Sequence, residues 1–84
     1  MIKPTVHLNG TSAQSLANQY GHARQKVREA LEALQHIETH GRDYYVQGPN
    51  AYHIAAEQHQ RRVTYLSMVH DDLLEIEMHV SESL

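Results

Sequence analysis

The sequence predicts an all-α protein, a long antiparallel two-helix hairpin with a short extended N-terminal arm, assembled into a homo-oligomeric helical bundle. Three observations predict it. Apolar residues recur at helical spacing over two long segments, a turn-rich stretch containing Gly48 and Pro49 divides them, and the 84 residues include no cysteine to reinforce a small core. A chain this short buries only about 60–65% of the surface it exposes when unfolded, so its core is thin and further burial is expected from packing between copies.

The chain divides into an arm (1–11), a first helix (12–40), a linker (41–49) and a second helix (50–82), all in one domain. In the arm, Val6 and Leu8 alternate with Thr5, His7 and Asn9, the period of an extended segment half buried on a neighbour. The first helix carries Ala13, Tyr20, Val27 and Leu34 at one seam position and Leu16, Ala23, Ala30 and Ile37 at the other. Thr11 with Gln14 three residues on has capping-box spacing, and Gly41 after His40 is a C-terminal stop. The second helix is capped by Asn50 behind Gly48 and Pro49, and its seam runs Tyr52, Ala55, His59, Val63, Leu66, Val69, Leu73, Ile76, Val80. Ile54, Tyr65, Met68, Leu74 and Met78 fall off that seam and need a second partner, either the arm or other copies of the chain.

Composition excludes several functions. The formal charge of −3 argues against a general DNA or RNA binder. No segment approaches the roughly 18 apolar residues of a membrane span, and the start has no signal-peptide core, so an intracellular protein with no membrane partner is expected. His36 and His40 are spaced i, i+4, with His53 as a conceivable third ligand, but "HIETH" is not a zincin signature and the set is incomplete; no metal or cofactor is expected. Nor is there a nucleophile with an evident base, a carboxylate pair or a Gly-rich phosphate loop, which points to a binder and not an enzyme.

Two groups of residues fit a phosphorylated ligand. With a turn near residue 45, position i of the first helix lies level with about position 90 minus i of the second. That register would gather Arg24, Lys26, Arg28, Arg61 and Arg62 into a cationic belt, leaving Asp71, Asp72, Glu75, Glu77 and Glu82 as an acidic end. Such a belt suits a ligand with two or three phosphates, while ordinary ion pairing on a solvated surface explains the same residues. In "GRDYYVQGPNAYH" stand three of the five tyrosines, and Arg42, Tyr44, Tyr45 and Tyr52 with His53 offer flat partners for a base and a phosphate contact. The same tyrosines would also serve to plug the open end of the hairpin. At the opposite end Asn9, Gly10, Thr11 and Ser12 of "HLNGTS" supply a turn, hydroxyls and free N–H groups at a helix start. The two ends lie about 40 Å apart on one chain, so only neighbouring copies could bring them together.

The strings "VHLNGTS" and "GRDYYVQGP" resemble those of small proteins encoded by tailed bacteriophages, over nearly the whole chain. In plan the chain is loosely similar to the phage sponges that sequester cyclic-nucleotide or ADP-ribose-type immune signals. The resemblance implies a phage protein acting in the cytoplasm of an infected bacterium, and it transfers no binding residue by position. The expected function is non-enzymatic sequestration of a small phosphorylated, cyclic nucleotide at protomer interfaces. The alternatives are a module that binds and inhibits or adapts a host protein, and a structural or assembly protein of the virion.

Overall fold

The computed structural model describes every residue from Met1 to Leu84. Two helices, α1 (Ala13–Gln35) and α2 (Ala51–Ser81), are joined by a segment containing two single 3-10 turns, Gly41–Asp43 and Tyr45–Gln47. The helices run antiparallel, as Arg24 bonded to Glu77 and Leu34 grooved against Leu66 require, in a rod of 61 × 21 × 16 Å. This is the all-helical hairpin that the two periodic segments predict.

Both ends of α1 differ from expectation. Its cap is Ser12 and not Thr11: Ser12 is extended, and its Oγ accepts the Ser15 N–H at 3.1 Å. The tight turn in which the Gly10 N–H donates to the His7 carbonyl delays the helix by one residue, and the Gln14 side chain donates to Asn18 instead of closing a capping box. At the other end α1 stops at Gln35, with His36 as its cap, rather than at His40. The His36 and Ile37 N–H groups make short i→i−3 bonds to Ala33 and Leu34 that tighten the last turn. Of the next residues, His36, Ile37, Thr39 and His40 are all weak helix formers, two of them β-branched.

The early stop changes the register. Residues 36–50 do not cross from helix to helix in a tight turn; they run back beside the overhanging first turns of α2. Ile37 lies beside His59, Ala23 beside Leu73, and Arg24 reaches Glu77. Relative to a turn centred at residue 45, α2 is displaced by about eight residues, or ~12 Å. Gly48 makes the re-entry possible, with φ 119° and ψ 167°, a conformation open almost only to glycine. Asn50 stands at the cap of α2 as expected, but its side chain makes no capping bond.

The seam of α1 holds at Ala13, Leu16, Tyr20, Ala23, Val27 and Leu34 and departs from the predicted one toward its end. Ala13 and Ala17 are buried and Leu31 half buried, whereas Ala30 and Ile37 are exposed. At Gly21 the Glu77 carboxylate of α2 occupies the space a Cβ would take, at 2.5 Å. In α2 the seam holds at Val63, Leu73, Ile76 and Val80, while Tyr52 and Val69 are more open than expected. The arm docks on the last turns of α2: Lys3 pairs with Glu75 at 3.1 Å, and the His79 Nε2–H donates to the Pro4 carbonyl at 2.9 Å. Val6 is half buried, but Leu8, expected on the covered side, is 98% exposed because the turn at Gly10 has already swung the chain outward. Only four side chains are buried, so the single hairpin has almost no interior.

Candidate ligand site at the linker end

The register decides which of the cationic residues can act together. Arg24 is bonded to Glu77, Lys26 pairs with Glu29 and Arg28 with Glu32. These three are engaged by carboxylates, and the displacement of α2 sets Arg61 and Arg62 beside the end of α1 instead of its middle. The belt expected from a 90 minus i register therefore does not form. What remains without an ion-pair partner is Arg42, Arg61 and Arg62, all toward the linker end.

At that end the returning linker and the overhang of α2 enclose a concave site of about 280 Å³. Its polar groups are Thr39, Gln58, His59 and Arg62, its flat face is Tyr44, and Leu34, Ile37 and Ala55 form the apolar floor. Gln58 and Arg62 share one side of α2 because they are one turn apart. Tyr44 is brought to them by the two 3-10 turns on either side of it. Glu38, the carboxylate on the rim, accepts a bond from the His40 ring at 2.9 Å.

The other sequence-predicted residues separate. Tyr45 is 74% exposed and does not line the concave site, and Arg42 is exposed on the first 3-10 turn. Tyr52 stands near Gly41, with its ring 5.3 Å from that of His53 in a tilted pair. The three tyrosines thus do not form one clamp: Tyr44 packs into the hairpin end, Tyr52 sits against the linker, and Tyr45 is free. At the far end Asn9, Gly10, Thr11 and Ser12 are exposed, with the His7 ring folded over Gly10 and the Ser12 hydroxyl already used as the cap.

Gln58, Thr39 and His59 are absent from the sequence-based set, His59 having been read as a seam residue. The i, i+4 spacing of Gln58 with Arg62 was a usable signal; the approach of Thr39 was not, because it depends on where α1 stops. The metal reading loses its premise, since His40 lies outside α1 in extended backbone and is no longer one helical turn from His36. No group of three His, Asp or Glu side chains is arranged to hold a metal ion, and no helix is long and apolar enough to cross a membrane.

Fold and site together define a helical hairpin with a polar concavity at its closed end, lined by both Arg62 and Glu38. Compared with known proteins, the chain matches no family model, no curated protein and no solved structure.

Proposed function

We propose that the protein is a non-enzymatic binder that withholds a small phosphorylated nucleotide, its base against Tyr44 and its phosphate at Arg62. The observation that carries this reading is the meeting of an aromatic face, an unpaired guanidinium, a carboxamide and an imidazole in one concavity. Stacking on an aromatic ring contributes about 1–3 kcal/mol per base, and a guanidinium bonds phosphate in bidentate fashion. Gln58 and Thr39 supply donors and acceptors for a base edge or ribose. A volume of about 280 Å³ suits one nucleoside phosphate unit. A cyclic di- or trinucleotide would leave its other units against Arg42, Arg61 or a neighbouring copy, which favours a site completed between protomers. The likeness of "VHLNGTS" and "GRDYYVQGP" to strings of small phage proteins supports an immune signal of the infected host as the ligand, with the host cytoplasm as the compartment.

Calorimetric titration with cyclic dinucleotides, cyclic trinucleotides and cyclic ADP-ribose isomers tests the reading. At least one should bind, with unchanged ligand recovered after release. Arg62→Ala should weaken that binding tenfold or more and flatten its salt dependence, with helix content intact because Arg62 is exposed. Absence of binding across the panel, or binding indifferent to Arg62→Ala, would leave docking on a host protein as the better reading.

A further inference from the structure

Along α2, Gln58, Arg61, Tyr65, Met68, Asp72 and Glu75 follow one another at alternating steps of three and four residues, Gln58 and Tyr65 bordering the grooves against α1 and Glu75 paired with Lys3 of the arm. That period keeps them in one narrow stripe along the helix. All six are exposed in the single chain, Tyr65 by 60% and Met68 by 58%. Arg61 and Asp72 have no ion-pair partner in it. Read in reverse, the stripe is complementary to itself: Gln58 falls opposite Glu75, Arg61 opposite Asp72 and Tyr65 opposite Met68.

We propose that this stripe is an interface at which α2 packs antiparallel on α2 of a second copy, about a twofold axis passing between Leu66 and Ser67. The axis makes every contact occur twice. Arg61 of each copy meets Asp72 of the other, and the Tyr65 ring takes the Met68 thioether of the other at its edge. The parallel alternative is disfavoured by charge, since it would set Arg61 against Arg61 and Asp72 against Asp72.

Area points to the same occupant. A compact monomer of this chain length would expose about 5,100 Å² by the usual scaling with mass. The hairpin exposes 6284 Å². The excess of about 1,200 Å² is somewhat more than the ~800 Å² each partner buries in a standard interface. A second copy thus supplies burial that the chain by itself lacks. The inference rests on α2 and not on the nucleotide reading. It bears on that reading in one respect: antiparallel copies bring the start of α1, which lies beside the end of α2, level with the linker of the other chain.

Sedimentation equilibrium on four chains decides it. The wild-type protein should have a mass that is an even multiple of one chain. Arg61→Asp and Asp72→Arg should each shift it to smaller species, with association weakened about 10- to 100-fold by the reciprocal repulsions, and the two changes combined in one chain should restore the wild-type mass. Circular dichroism should be the same for all four, because both side chains are exposed. The polarity is read separately. The chain has no cysteine, so a Tyr65→Cys protein mixed with a Met68→Cys protein should oxidise to a mixed dimer faster than either protein alone. A wild-type mass of one chain, masses unaffected by either single reversal, or faster cross-linking of each cysteine protein with itself would each overturn the proposal.

Discussion

Arg24 and Glu77 show how one ion pair differs from its neighbours. Their side chains are 22% and 21% exposed, and the Glu77 carboxylate lies in the space a Cβ at Gly21 would take. Lys26–Glu29 and Arg28–Glu32 are more than half exposed, within one helix. Exposed pairs of that kind contribute about 0–1 kcal/mol. Removing one partner of a largely covered pair leaves a desolvated charge uncompensated, at about 1–3 kcal/mol. Urea unfolding at one fixed chain concentration should therefore place Glu77→Gln about 1–3 kcal/mol below wild type and Lys26→Ala within about 1 kcal/mol of it. Little of this was legible in the sequence. Arg24 and Glu77 were visible as charges, but a register taken from the linker's midpoint set them far apart.

At the scale of elements, the periodicity of apolar residues located both helices, and the Gly48–Pro49 break located the start of α2 to within a residue or two. The end of α1 was not legible, since the stop signal at Gly41 is real yet the helix yields earlier, over weak helix formers whose alternative bonds lie in tertiary structure. That misplaced boundary carried the cationic belt with it, and so most of the error in the candidate site. Tyr44 survives because it belongs to the linker end in either register, whereas Arg62, expected in the mid-height belt, is carried to the linker end by the displacement of α2. The element that fixes the register is the re-entrant linker, and its least replaceable residue is Gly48. A Cβ there meets nothing within 4 Å, so the cost of Gly48→Ala is backbone strain alone, about 1–3 kcal/mol. The melting temperature should fall by about 4–8 °C per kcal/mol. Gly41→Ala, at negative φ and with Tyr52 at an ordinary 3.9 Å, should leave it nearly unchanged.

For the molecule as a whole, shape follows from chain economy. Two helices can shield only one side of each other, so the radius of gyration is 18.6 Å where a compact chain of this length would have about 12 Å. The sequence revealed this thinness through its off-seam residues, and Ile54, Tyr65, Met68 and Met78 are indeed exposed. It did not reveal the self-complementary order of the α2 stripe, which emerges only once the structure shows Arg61 and Asp72 unpaired and facing outward. Charge is also arranged lengthwise, with free guanidinium groups toward the closed end and most carboxylates of α2 toward the other.

The arm's hold on α2 has a consequence for how the rod opens. Contacts near the linker close short loops, whereas the bond from His79 to Pro4 spans 75 residues and carries the largest closure entropy in the chain. Val80, the only side chain with no exposure at all, adjoins that bond. The arm therefore works as a clasp on a zipper whose free end would otherwise fray first. Deleting residues 1–6 should accelerate amide hydrogen exchange over Leu73–Ser81 while leaving Ala55–Leu66 at its former rate. Uniform acceleration along α2 would mean that the rod opens as one unit and has no clasp.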